Sequence, residues 1–247
     1  MLKKEEEGKK LLISPMYHNI NSDKYSNDLD LFEKHLIYIK DNYNIVFPED
    51  KLKNKNICLT FDDAFYNFYY YVFPLLKKYN IKAVLAVPTK YILDSTSLNS
   101  KQRLDIPHDD TYSSIENAPF CTFEELQIMS DSGLVKIASH SHNHVNLNEC
   151  NNLEDELELS KKIIENKLNI ICDTFIFPFG KYNNLVLNES KKYYKYLFRI
   201  GNGINNDFNG INGVIYRVNG DGLKDYKDIF SFKNMLKYKI KSFIKSF

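Results

Sequence analysis

No stretch of this 247-residue chain approaches the roughly 20 consecutive apolar residues that a membrane-spanning helix requires. Arginine is nearly absent, with Arg103, Arg199 and Arg217 the three in the chain. Phosphate-reading surfaces favour bidentate guanidinium, so this scarcity argues against a nucleic-acid partner. Neither charge is in excess: 33 Lys plus Arg stand against 32 Asp plus Glu, and net charge argues nothing further about partners. The four cysteines, Cys58, Cys121, Cys150 and Cys172, are scattered and form no C-x-x-C pair, which predicts reduced thiols in an intracellular protein. An export signal is also missing. MLKKEEEGKK leads into LLISPMY, which is too short and too soon broken to serve as an apolar signal core. These absences together predict a cytoplasmic protein.

What is present fits one α/β domain. The chain is long enough for a substantial core, and 43% hydrophobic with 26% charged residues is ordinary for a globular protein. Apolar runs of strand length (11–17, 57–61, 83–87, 135–139 and 174–178) alternate with segments of helical period. Helices are expected near 28–41 (Leu29, Phe32, Leu36 and Ile39 on one face), after Asp63, near 152–167 and near 184–194. Thr122 opens T-F-E-E, a capping box, before a helix ending near Gly133. Residues 94–119 lack periodicity and read as a long polar loop or an insertion. The alternation predicts a parallel sheet or barrel.

Three polar clusters follow expected strand ends: Asp62-Asp63, the run His140-Ser141-His142-Asn143-His144, and Pro178-Phe179-Gly180. Parallel α/β folds gather those ends on one face, so residues distant in sequence converge there. Taken alone, Asp62 and Asp63 read first as simple helix caps. The histidines say more, because three of the chain's six fall within five residues. His140 and His144 stand four apart, and with one carboxylate they make a set that leaves a fourth metal position open, as in catalytic sites. The spacing is also that of H-E-x-x-H proteases, but Ser141 occupies the position where that motif needs Glu.

At these residues the chain resembles the polysaccharide deacetylase family (carbohydrate esterase family 4). LTFDDAFYNFY (59–69) is similar to its T-F-D-D-G motif, ASHSHNHVNL (138–147) to its H-[ST]-x-x-H motif, and FIFPFGKYN (175–183) to its Pro-aromatic-Gly turn. The linking segments 73–87 and 120–140 are similar too, so the likeness runs from about 11 to 185. It implies an irregular (β/α) barrel over residues 1–231. It also implies Asp63, His140 and His144 as ligands of a divalent metal (zinc first, cobalt or nickel next), with Asp62 as the base that takes a proton from the attacking water. Pro178, Phe179, Gly180 and Arg217 become substrate-binding candidates, with the Phe179 backbone N–H facing the oxyanion. The implied reaction removes the N-acetyl group from an amino sugar of a cell-envelope glycan, or from a nucleotide- or lipid-linked precursor. A sugar O-acetyl esterase and a non-catalytic carbohydrate-binding relative are the rivals. The intact Asp62 speaks against the latter, since binding needs no base.

No histidine follows His144, so a general acid late in the chain is missing. PMYHNI (15–20) resembles the N-terminal Y-H motif of the branch that deacetylates poly-N-acetylglucosamine, which implies His18 as the acid. His35 and His108 are expected to stand outside the chemistry, with His142 supporting or exposed and Ser141 orienting the loop. Two residues depart from the pattern: Ala64 stands for the Gly after the paired aspartates, and Phe177 stands where some members place an Arg against the base. Arg217, in VIYRVNG (214–220), is a candidate substitute arriving from a later strand, although 195–230 aligns poorly. The tail 232–247 carries five lysines and no acid, with apolar residues at helical spacing. It reads either as a basic amphipathic helix on an anionic membrane or as a terminal helix packed on the domain.

Overall fold

The computed structural model describes residues 10–247. The first nine residues of the stretch on which the export-signal expectation was based lie outside the described ones. Among the described residues, seven parallel strands close a barrel in chain order. They are β1 (Pro15–Tyr17), β2 (Leu59–Phe61), β3 (Ala83–Val87), β4 (Val135–Ser139), β5 (Thr174–Ile176), β6 (Tyr196–Ile200) and β7 (Ile215–Asn219). Closure comes from β7 on β1, with Val218 opposite Pro15 and Asn219 opposite Met16.

The strands are mostly apolar because both of their faces are largely buried. Val84 and Ala86 of β3 join Ala138, Ile176, Phe198 and Ile215 in a cluster drawn from five strands, which fills the barrel. Leu85 and Val87, on the opposite face, pack into the larger cluster that the helices cover. Those helices are α1 (Leu29–Asn42), α2 (Phe73–Tyr79), α3 (Ser100–Leu104), α4 (Phe123–Asp131), α5 (Ser160–Leu168), α6 (Asn184–Tyr193) and α7 (Phe232–Lys245). Asp28 caps α1 by accepting from Leu31 N, and the Thr122–Glu125 capping box on α4 forms as its pattern predicts. Among the described residues no helix is long and apolar enough to cross a membrane.

Two expectations are corrected. LLISPMY is not one strand: Leu11–Ile13 pairs with Lys55–Ile57 in a separate small sheet, and only Pro15–Tyr17 enters the barrel. The change of sheet occurs at Ser14, whose Oγ donates to Cys58 O at 3.0 Å. Periodicity cannot reveal a change of partner inside one apolar run. Nor is 94–119 an irregular loop. It holds α3, capped by Asn99 and Gln102, and short 3-10 turns at His108–Ser113 and Ile115–Asn117. These pieces are shorter than any window in which a helical period shows. Arg103, buried, anchors the segment through Glu125 (2.6 and 2.9 Å) and the carbonyls of Ala118 and Phe120.

Candidate active site

The three polar clusters do meet, at the C-terminal ends of the strands, in a cavity of about 410 Å³. That is within the range of small-molecule sites. His18, Asp62, Asp63, His140, His144, Phe179, Gly180 and Arg217 all line it. A wider groove of about 730 Å³ shares His144 and Phe179 with it and extends the cleft outward.

The chain leaves β2 through two successive left-handed residues, Asp63 (φ 69°) and Ala64 (φ 53°), tied by Ala64 N donating to Asp62 O at 2.9 Å. This turn sends the neighbouring carboxylates to different partners. Asp63 Oδ1 lies 3.2 Å from His144 Nε2 and 3.6 Å from His140 Nε2. One ligand atom from each of the three lies within 4.8 Å of the others, a spacing that could hold a metal ion. The donor chemistry fits a divalent cation. His140 Nδ1 donates to Ile176 O at 2.7 Å, which leaves the Nε2 lone pair facing Asp63. Burial pushes the His140 pKa down to about 4, so the ring is neutral at pH 7.

The loop that carries the histidines is fixed from behind. Ser141, left-handed at φ 64° and buried, accepts from His144 N at 3.0 Å through its Oγ, the orienting position expected of it. The buried Glu156 carboxylate accepts from the backbone N–H groups of His142 and Asn143 and from the Asn143 side chain. His142 itself turns away to Thr89.

Asp62 faces the other way. Arg217, on β7, pairs with it bidentately at 2.6 and 2.8 Å and also donates to Thr60 Oγ1 at 3.1 Å. Burial opposes a charge on Asp62. The Arg217 guanidinium outweighs it, with help from His140 and His18, and holds the carboxyl well below the ordinary carboxylate range. Arg217 is 1% exposed and spends its fork on this carboxylate, so it supplies the Asp62 partner that Phe177 does not. His18 Nε2 stands 3.9 Å from Asp62 Oδ2, and its Nδ1 donates to Asp221 Oδ2 at 2.6 Å. Burial works against its charge, but the Asp221 hydrogen bond and the carboxylates of Asp62 and Asp63 prevail and raise its pKa to about 9.

Pro178-Phe179-Gly180 forms one wall. Phe179 is left-handed (φ 55°) and its exposed ring stands 4.9 Å from that of His144. Gly180, at φ 63°, packs so closely that a Cβ would come 2.7 Å from Ile200 Cγ2.

Sequence reasoning missed three residues here. Asp221 lies just past the end of β7 and obeys the strand-end rule that flagged the other clusters, so a signal existed. Tyr112 donates to Asp63 Oδ1 at 2.7 Å and stacks on His144, with ring centroids 5.0 Å apart. It comes from the 94–119 segment, where no pattern marks it. His108, expected to stand apart, lines the cavity and accepts from Asn19 Nδ2. His35 is remote: it is buried, accepting from Tyr17 OH and donating to Tyr226 O.

Residues 49–196, more than half of the chain, match the family described as Polysaccharide deacetylase. A Bacillus subtilis (strain 168) protein that carries a provisional polysaccharide deacetylase name, YxkH, is 28% identical over 193 residues, covering 72% of this chain and 60% of that one. The poly-beta-1,6-N-acetyl-D-glucosamine N-deacetylase of Escherichia coli O157:H7 is 26% identical over 185 residues, covering 63% of this chain and 26% of that one. The chain thus spans about three fifths of the first relative's length and about a quarter of the second's. Among solved structures, the Streptococcus pyogenes deacetylase PplD in complex with acetate superposes with a TM-score of 0.71 at 24% identity, over 92% of this chain and 97% of that one. At that identity the likeness establishes the fold.

Proposed function

The chain belongs to the polysaccharide deacetylase family, and from that premise we propose that it is a metal-dependent hydrolase that removes the N-acetyl group from an amino sugar in a glycan or glycan precursor. One observation carries this reading: a carboxylate with two imidazoles stands in the same cleft as a second carboxylate paired with Arg217 and a histidine hydrogen-bonded to Asp221. We assign the catalysis to residues 1–231.

Asp63, His140 and His144 would hold a divalent cation, with zinc the first candidate and cobalt or nickel next. When bound, that ion supplies Lewis acidity, making water acidic near neutral pH and favouring a developing oxyanion. Asp62, kept ionised by Arg217, accepts the proton of the water that attacks the acetamide carbonyl. Arg217 holds this base in position. The Phe179 backbone N–H faces the oxyanion, and the Pro178-Phe179-Gly180 wall confines the acetyl group. His18 is charged at pH 7 and gives its proton to the departing amine as the C–N bond breaks, leaving acetate and the free amino sugar. Asp221 fixes its Nδ1–H and so aims Nε2 into the cleft. The Y-H placement of His18 and the likeness to the Escherichia coli N-deacetylase favour a β-linked N-acetylglucosamine glycan as the substrate class.

The test is acetate release from a panel of N-acetylated amino sugars by metal-stripped protein, with and without Zn²⁺, Co²⁺ or Ni²⁺. Matched O-acetylated sugars run alongside. The expected result is metal-restored release from the N-acetyl series. Release confined to the O-acetyl series would make the protein an esterase instead, and failure to bind any of the three ions would overturn the site.

A further inference from the structure

The structure decides how the basic tail sits. Helix α7 is docked on the domain by one face only. Tyr238 is its buried residue, Ser242 exchanges hydrogen bonds with the backbone of Ile204, and Asn212 donates to Lys245 O. At about 100° per residue, Phe232, Leu236, Ile240, Phe243 and Ile244 fall on an arc of roughly 120° on the side away from Tyr238 and Ser242. These residues point into solvent: Phe232 is 85% exposed, Phe243 66% and Ile244 64%, with Phe247 just beyond at 93%. An apolar ridge of this length is seldom left facing water, so an occupant is expected.

Charge selects among occupants. Lys239 borders one edge of the ridge, Lys237 and Lys241 border the other, and Lys233 lies within it; residues 232–247 contain no acid. A second copy of this helix would set lysines against lysines, and a neutral apolar partner would leave them unanswered. An apolar arc flanked by lysines is the pattern of a helix lying in the plane of an anionic bilayer surface. We infer that α7 is a membrane-surface anchor that inserts Phe232, Leu236, Ile240, Phe243 and Ile244 among the acyl chains while its lysines meet anionic headgroups.

The placement has a consequence for the cleft. A Cβ on Gly201 would lie 3.2 Å from the Lys245 side chain, and Gly201 directly follows Ile200, which lines the cavity. The end of the anchor therefore abuts one flank of the site, which suits a substrate carried at a membrane surface.

The test needs no turnover, so it is independent of the reading of the cleft. Full-chain protein is sedimented with vesicles of phosphatidylcholine alone and of phosphatidylcholine mixed with phosphatidylglycerol. Binding is expected to the mixed vesicles only, and to weaken with salt. The double variant Leu236→Glu/Phe243→Glu alters exposed positions alone; it should keep the wild-type circular dichroism spectrum and lose at least tenfold in partitioning. Lys237→Gln and Lys241→Gln should each lower partitioning about fivefold. No sedimentation of the wild type with anionic vesicles overturns the inference, as does undiminished binding by the double variant. Self-association in lipid-free solution that the same double change abolishes would assign the ridge to a second copy and overturn it equally.

Discussion

Asp62 and Asp63 are adjacent in the chain, yet they serve two differently charged halves of one cleft. On the Asp62 side every charge has an answer: Asp62 pairs with Arg217, and His18 pairs with Asp221. On the Asp63 side one carboxylate faces His140, whose pKa is depressed to about 4, together with His144 and the neutral Tyr112 hydroxyl. The first half is self-neutralised and suited to moving protons. The second offers one carboxylate, the neutral His140 imidazole and the His144 ring, a donor set that suits a divalent ion. The left-handed turn at Asp63 and Ala64 separates the two halves, so backbone geometry divides the labour between identical side chains.

That division can be broken most severely by exchanging the aspartates' properties. Asp62→Asn should lower kcat/KM by about 10²–10⁴-fold while bound metal, measured by atomic absorption, stays at the wild-type stoichiometry. His140→Ala should lose metal and turnover together. If Asp62→Asn also lost its metal, the two halves would not be separable.

Arg217 tests the self-neutralised half next. Arg217→Met leaves a buried carboxylate without its partner and should destabilise the fold by about 3–5 kcal/mol in denaturant titrations. It should also raise the acid limb of the pH profile, because Asp62 then protonates more easily. A stability change under about 1 kcal/mol would mean that Asp62 finds another partner.

A smaller effect belongs to His18. Its folded pKa of about 9 lies above the ordinary value of 6.5, so the proton is bound in full at low pH. The proton, and the stability that its ion pairs contribute, are lost as pH rises through about 9. Turnover should therefore decline on that alkaline limb, at or below about 9, since a cation beside Asp63 draws the value down. Asp221→Asn removes the main cause of the rise and should move the limb to lower pH, with a loss of about tenfold at pH 8. An unmoved limb would remove His18 from the proton pathway.

The smallest expected effect is at Ala64, which holds φ 53° with its methyl group buried. Ala64→Gly relieves a left-handed strain and should raise stability by about 0.5–1 kcal/mol with the metal content unchanged. A destabilised variant would show that the methyl group's packing outweighs the strain.

Much of the candidate site at the strand ends was legible beforehand. Asp62, Asp63, His140 and His144 lie within short contiguous motifs, and strand-end placement follows from local apolar runs. His18 needed its motif as well. Arg217 was named both as a substrate-binding candidate and as a substitute partner for the base. Nothing local could choose between them, since no local pattern says that β7 closes the barrel beside β2's neighbour β1 and brings residue 217 to residue 62. Asp221 obeyed a rule that was applied elsewhere in the chain. Tyr112 and His108 had no signal, since a segment of short turns carries no period.

The sequence by itself determined the α/β class, the helix caps, the three clusters and the basic, apolar character of the tail, since all of these depend on residues near one another in the chain. Tertiary structure alone decided which aspartate meets Arg217 and which meets the histidines. It alone brought Asp221 to His18 and Tyr112 to Asp63, and turned the tail's apolar arc outward. Each of those outcomes rests on contacts between distant segments, and barrel closure, not local preference, selects among the partners available.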